Sequence, residues 1–295
     1  MPSYKTHAIQ GELILPEVNL RVDLDKDDFR MFCLGPDALA PINTSLFKLN
    51  HCYNTKEFLL SIIEYIKVSK LQDNPEVMAF LYGQLEHFVL DLIIHPLIFY
   101  MTEGMPRESI VNGHGLVEHL IDDYVMHKYK MGKGNYFKKI GINYQETYDL
   151  INYVYERVYN VSNVGIQYAS GIIMTKFYDG KIRGDKTNII SSITDLFNLG
   201  DIKYHKNYKL AYPYLNLEHN VWLNPETGYE YNLSFNDLWL RANELLLDLI
   251  EDVNNYLYRD IPFNNTLVMS NLSYLTGLPC EFGQTKKYYK EYKKL

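Results

Sequence analysis

The chain is poor in cysteine and in strand-forming alternation, and it carries no excess of positive charge. Three cysteines among 295 residues (Cys33, Cys52, Cys280) show neither the CxxC spacing of a thiolate metal site nor the even count of a disulfide framework. A reduced, cytoplasmic protein is the expectation. No apolar run reaches the ~18 uninterrupted residues that a membrane span needs, and the nearest, residues 88 to 100, is broken by Asp91 and His95. The opening "MPSYKTHAIQGELILPEV" lacks the basic head, apolar run and small-residue cleavage site of a secretory signal. Net charge is −7, from 29 basic and 36 acidic side chains. That argues against broad, non-specific nucleic-acid binding, which needs a basic surface, and no stable nucleic-acid complex is expected. A small anionic substrate stays open, because a bound cation reverses the local field.

Helical periodicity dominates what is present. Residues 55 to 71 repeat apolar groups at helical spacing, with Thr55 as the expected N-cap. The next helix opens at "DNPEV", where Asn74 or Asp73 caps it and Pro75 suits the first turn. Pro96, far inside, should kink this helix or begin a new one. Further helices are expected over 114 to 130, 144 to 159, 162 to 178 and 185 to 198. A last long one starts at Ser234, with Asp237 three residues on as a capping box. "GYEYNLSF" reads as a short hairpin arm, and residues 200 to 232 form the longest irregular stretch. The basic end "KKYYKEYKKL" is expected to be a solvated terminal turn. The expectation is an all-α, single multi-helix domain over 1–295, with the chemistry in about 1–130 and a Tyr-rich half over about 131–295.

The chemistry lies in "YGQLEHFVLDLIIHPLIFY", residues 82 to 100, where His87, Asp91 and His95 recur every fourth residue among apolar neighbours. Positions four apart drift by about 40° and rise about 6 Å. His87 and Asp91 can therefore share one ion and Asp91 and His95 a second, with the carboxylate bridging. His87 and His95, about 12 Å apart along the axis, cannot share one. "HGLVEHLID" repeats the device with His114, Glu118 and Asp122. An imidazole and a carboxylate at i and i+4 grip a metal from one helix face, and Asp122, a turn on, is expected to hold an imidazole from outside. Asp37 in "CLGPDALAP", His51 in "KLNHCYN" and His7 in "SYKTHAI" are further candidates that spacing alone cannot connect to these helices. By themselves they read as a turn or capping residue and as packed or exposed histidines. Glu86 and His119 flank the candidates about 100° off their face and read as structural or outer partners. His127, His205 and His219 have no motif. Trp222 and the Tyr-rich segment around 204 to 232 either pack or wall a cleft.

Taken in order, "MPSYKTHA", "CLGPDALAP", "NHCYN", "YGQLEHFVLDLIIHP" and "HGLVEHLID" resemble the bacterial zinc-dependent phospholipase C family, especially its intracellular branch. "HNVWLNPETGYEYNLSFNDL" and "NLSYLTGLPC" are also similar to that branch. The resemblance implies an all-helical fold shared with single-strand nucleases, and two or three zinc ions in a cleft. It implies that Asp37, His51, His87 and Asp91 hold one zinc, that His95, His114 and Glu118 hold a second, and that His7 and the bridging Asp91 contribute to a third. Secreted members complete the third site with a processed N-terminal residue. Here His7 follows only six residues of an unprocessed start, so that site would need another residue or water.

The implied activity is hydrolysis of a phosphoric ester by a metal-activated water, with no serine or cysteine nucleophile. Family proposals point to Asp37 as proton acceptor. The expected partner is a phosphodiester, either a phospholipid head group with peripheral membrane contact or a nucleotide. The alternatives are a nuclease or nucleotide phosphodiesterase with the same metals, and a non-catalytic binding protein stabilised by metal. Structural zinc sites are closed and usually rich in cysteine, whereas His and carboxylate donors leave room for water and favour an enzyme. A helical scaffold without metal would leave each unpaired buried carboxylate or imidazole costing several kcal/mol.

Overall fold

The computed structural model describes residues 4–18, 21–105, 113–131, 144–182, 208–282 and 285–292. Its helices are α1 (Tyr4–Ile14), α2 (Lys26–Phe32), α3 (Thr44–Cys52), α4 (Thr55–Ser69), α5 (Pro75–Thr102), α6 (Gly113–Lys128), α7 (Gln145–Tyr159), α8 (Val164–Ile182), α9 (Phe235–Arg259) and the short α10 (Thr266–Met269). A 3-10 turn over Gly35–Leu39 joins α2 to α3. Trp222–Leu223 pairs antiparallel with Glu230–Tyr231, as the hairpin pattern predicted. The fold is all-α.

Helix α5 is the axis of the bundle. Asn74 caps it by accepting hydrogen bonds from the Glu76 and Val77 N–H groups, and Pro75 fills the first turn. Its residues are apolar on every side, the signature of a helix buried all round. By length and composition it could cross a membrane, yet nearly all of its most apolar stretch is buried inside the protein. The elements that cover it are α1, α2, α4, α6, α7 and α9. Phe88, Val89, Leu90 and Ile94 are wholly buried beside its polar stripe. Each contributes about 1.5–3 kcal/mol relative to exposure, which offsets the cost of carrying ionisable groups into the core.

Helix α9 lies against α5 with Leu238, Ala242, Leu246, Leu249, Val253 and Leu257 buried at helical spacing. Its capping box is complete: Ser234 accepts from the Asp237 N–H, and the Asp237 carboxylate accepts from the Ser234 N–H. The three cysteines are buried and unpaired.

Several local expectations are corrected. Asn54, not Thr55, is the N-cap residue of α4; the Thr55 hydroxyl instead donates to the Leu272 carbonyl at 2.8 Å. Pro96 neither ends α5 nor starts a new helix. The Leu92 carbonyl, deprived of the N–H that Pro96 lacks, lies against Gly277, where any Cβ would approach it to 3.0 Å. The helix expected over 162–178 runs from Val164 to Ile182. That expected over 185–198, like His205, lies outside the described residues.

The basic end is solvated over much of its described part, as expected, but it is not a turn. Residues 285–292 lie as a strap on the C-terminal end of α5. The Lys290 N–H donates to the Tyr100 carbonyl (2.8 Å), and the Lys287 and Tyr288 N–H groups donate to Pro225 (2.7 and 3.0 Å). The Tyr292 hydroxyl donates to the Met101 carbonyl at 2.5 Å.

Candidate metal centre

Eight side chains from five segments converge around the polar stripe of α5. His7 comes from α1, Asp37 from the 3-10 turn and His51 from α3. His87, Asp91 and His95 come from α5, and His114 and Glu118 from α6. Three groups of donor atoms lie close enough to hold a metal ion: Asp37 with His51 and His87, His95 with His114 and Glu118, and His7 with His87 and Asp91.

The first group, with Asp91 beside it, supplies the four donors that a tetrahedral zinc takes (the tetrahedral group). Asp37 Oδ1 is 3.2 Å from His51 Nε2 and 3.7 Å from His87 Nε2, and the two nitrogens are 3.5 Å apart. Asp91 Oδ2 closes the figure at 3.2 Å from His87 Nε2 and 3.6 Å from His51 Nε2. A tetrahedral zinc with bonds of about 2.0–2.1 Å has ligand-to-ligand edges of about 3.3–3.4 Å, so these edges bracket the required value. Asp37 Oδ1 and both Asp91 oxygens are buried, make no well-aligned hydrogen bond and face imidazole nitrogens at 3.2–3.3 Å. Buried carboxylate oxygens cost several kcal/mol unless positive charge, from charged imidazoles or from a metal ion, meets them. The donor set therefore fits a divalent metal.

The orientation of the imidazoles points the same way. His51 Nδ1 donates to the Phe47 carbonyl (2.8 Å), His87 Nδ1 to the Cys33 carbonyl (3.1 Å) and His95 Nδ1 to the Tyr274 carbonyl (2.7 Å). His114 Nδ1 donates to the Thr102 hydroxyl at 3.2 Å, which itself donates to the Ile98 carbonyl. His7 Nδ1 lies 3.2 Å from both oxygens of Glu86. In all five rings one nitrogen is pinned from outside and Nε2 faces the cluster, the arrangement by which proteins fix the tautomer of a metal-ligating histidine.

The second group is more open. Glu118 Oε1 is 2.8 Å from His114 Nε2 and 3.9 Å from His95 Nε2. Three donors leave a position for water or substrate. The side chains of His114 and Glu118 are 21% and 11% exposed, whereas those of His7, Asp37, His51, His87, Asp91 and His95 are at most 3% exposed. Solvent reaches the cluster at the α6 edge.

Asp91 does bridge, though not in the direction helical spacing suggested. His95 turns its Nδ1 to Tyr274, so Asp91 is no member of the second group. Instead Asp91 Oδ1 lies 3.3 Å from His7 Nε2, and the carboxylate links the tetrahedral group to His7. The His7 ring stacks on His87 at 4.2 Å. Since His87 Nε2 belongs to the tetrahedral group, a third centre would draw on His7 and Asp91 Oδ1. Asp122 is also corrected: it accepts from the Thr6 N–H (2.9 Å) and hydroxyl (2.6 Å). It moors the start of α1 beside His7 rather than holding an imidazole.

Gly35 makes the tetrahedral group possible. Its φ is +55°, and a Cβ there would stand 2.3 Å from the His87 ring. Only glycine lets the turn bearing Asp37 approach so closely.

Electrostatics follow from burial and mutual contact. Burial opposes ionisation of Asp91, but the neighbouring imidazoles of His87, His51 and His7 hold its carboxyl well below the usual range. Burial likewise opposes charging His7, yet Glu86 and Asp91 lift it to about 10. His51, opposed by burial, is lifted by Asp37 and Asp91 to about 9. Burial pushes Glu86 up to about 7 against the pull of His7, raises Glu118 well above its ordinary value and lowers His87 and His114.

Outside the cluster, Trp222 is packed: it is buried, donates Nε1–H to the Leu233 carbonyl and stacks on Tyr231. His127 stacks on Tyr208, and His219 Nδ1 faces the Asn232 carbonyl and Asp237. The outer carbonyls from Cys33, Phe47 and Tyr274 were invisible in the sequence, because a backbone acceptor carries no residue signature.

Fold and site define an all-helical protein with histidine and carboxylate groups that could hold metal. The signature of the family described as zinc dependent phospholipase C matches residues 5–163, and the chain belongs to that family. The match spans every residue of the cluster and ends before the later stretches that also resembled it. No curated protein matches the chain, and no solved structure does.

Proposed function

We propose that this protein is a zinc-dependent phosphoric-ester hydrolase that splits phosphodiesters by attack of water. The observation that carries the reading is the four-donor set of Asp37, His51, His87 and Asp91, with donor separations of 3.2–3.7 Å and buried carboxylate oxygens facing imidazole nitrogens. Asp37, His51, His87 and Asp91 would hold one zinc; His95, His114 and Glu118 would hold a second. His7 and Asp91 would contribute to a third. Zinc held there supplies Lewis acidity, which acidifies water near neutral pH and provides positive charge for phosphoryl oxygens.

The chain's own residues do the rest. The outer hydrogen bonds fix the rings, so that no reorganisation is needed during reaction. The rings of Phe47 and Tyr274, packed against His51, and of Phe99, packed against His95, shield the inner groups from water. We assign the proton released from water to Asp37, whose Oδ1 faces the cluster 3.2 Å from His51 Nε2; a carboxylate that also serves a cation is a weak base, so its contribution is modest. The family points to a phospholipid-type substrate, taken up by peripheral contact. Unpaired, buried thiols support a cytoplasmic setting.

The test joins elemental analysis of the purified protein to hydrolysis of phospholipid, nucleotide and generic phosphodiesters, for wild type and Asp91→Asn. Two or three zinc ions and turnover, both reduced in the variant, are expected. Metal retained without turnover on any ester would make the protein a binding module. Absence of metal would remove the basis of the reading.

A further inference from the structure

The cluster's solvent-facing edge carries a cation that the hydrolytic reading leaves unused. Lys286 arrives on the C-terminal strap, far outside the residues matched by the family signature. Its ammonium stands 3.4 Å from the centre of the Phe99 ring and 3.3 Å from Glu103 Oε2. Phe99 in turn stacks on the His114 imidazole, with centroids 4.3 Å apart and planes 18° from parallel. At these distances the ammonium and the imidazole cannot share one face of Phe99, so they lie on its two faces, and an anion on the three-donor group would reach Lys286 past the edge of that ring.

Position gives this lysine its meaning. His114 and Glu118 form the exposed edge of the three-donor group, so a ligand arriving from solvent reaches that group first. Lys286 keeps 21% of its side chain exposed, enough to meet such a ligand while its stem stays packed. The strap is held by backbone hydrogen bonds to Tyr100 and Pro225, which position the lysine without its charge. Glu103 is 33% exposed, so water or an anion competes readily for the ammonium.

We propose that Lys286 binds the anionic oxygens of the phosphodiester at the mouth of the His95–His114–Glu118 group, as a substrate-binding residue supplied by the C-terminal strap. This rests on the hydrolytic reading for its substrate, but binding of inorganic phosphate to the zinc-loaded chain reads it without turnover. The experiment measures phosphate affinity by calorimetry, and KM and kcat on a generic phosphodiester, for wild type, Lys286→Met, Lys286→Arg, Glu103→Gln and Lys287→Met. Zinc content and Tm are recorded for each.

Lys286→Met should weaken phosphate binding about tenfold or more, as expected for losing a hydrogen bond to a charged group. It should raise KM more than it lowers kcat. Lys286→Arg should restore most of the affinity, and Lys287→Met should leave it unchanged. Glu103→Gln removes the ion pair but keeps the ammonium, so it should bind phosphate as well as wild type or better. Equal losses in Lys286→Met and Glu103→Gln, tracking Tm, would reduce Lys286 to a fastener of the strap and overturn the proposal. Unchanged phosphate affinity in Lys286→Met with full zinc content would also overturn it, leaving the hydrolase reading intact. Phosphate binding that depends on Lys286 in a protein without turnover on any ester would defeat the hydrolase reading alone.

Discussion

Zinc binding should expel protons in a number set by the geometry. In the metal-free molecule His51, lifted to about 9, is cationic at pH 7, and so is His7, lifted to about 10. Burial lowers His87 and His114, which are neutral already. Ligands must be deprotonated to bind. Filling the tetrahedral group then releases one proton, from His51. Engaging His7 releases less than a whole proton, because Glu86, held near 7, takes part of it back. These two steps together release between one and two, and the three-donor group, where burial raises Glu118 well above its ordinary value, can only add to that number. At the tetrahedral group the logarithm of the apparent zinc constant should rise by about one per pH unit below about 9. Zinc titration calorimetry at pH 7 in two buffers of different ionisation enthalpy counts the protons. Zinc binding that releases none, with affinity flat from pH 6 to pH 8, would refute the account of the cluster. The same shifts set the stability of the metal-free fold. Raised histidine values mean a contribution complete below the unfolded value of 6.5 and lost as pH rises through about 9 and 10. Asp91 contributes the opposite way: its share is present above 3.8 and disappears as pH falls through its depressed folded value. The metal-free protein should therefore lose Tm between pH 7 and pH 10, and zinc should abolish that loss.

Other outcomes follow from single contacts. Gly35→Ala forces a side chain into the left-handed region, at about 1–2 kcal/mol, and against the His87 ring; elemental analysis should show zinc lost from the tetrahedral group even where the fold survives. Asp122→Asn weakens both hydrogen bonds that moor Thr6, and denaturant unfolding should register a loss of about 1.5–3 kcal/mol. Ser234→Ala removes the α9 capping box and should cost about 1 kcal/mol with zinc content unchanged; a fall in zinc would contradict the separation of that helix end from the cluster.

Much of this protein was legible in one dimension because helices repeat. Spacing of four put His87, Asp91 and His95 on one stripe and paired His114 with Glu118, and caps at Asn74 and Ser234 marked helix starts through local hydrogen bonds. The resemblance brought in Asp37, His51 and His7, which no periodicity could attach to α5. Where local reading failed, a distant contact was decisive. Asn54 occupies the N-cap position without a side-chain cap, and the Thr55 hydroxyl went to Leu272 instead. Pro96 stayed inside α5, a helix held on most of its sides by neighbours.

What the amino-acid order determined by itself is the all-helical architecture, the donor chemistry and the faces on which donors lie, since these follow from side-chain identity and a period of 3.6 residues. Only the tertiary structure decided which Asp91 oxygen faces which ring, that backbone carbonyls, Glu86 and the Thr102 hydroxyl aim the rings, and that Lys286 packs on Phe99 beside the open edge. Those outcomes depend on segments far apart in the chain meeting in space, and on backbone groups that every residue carries alike.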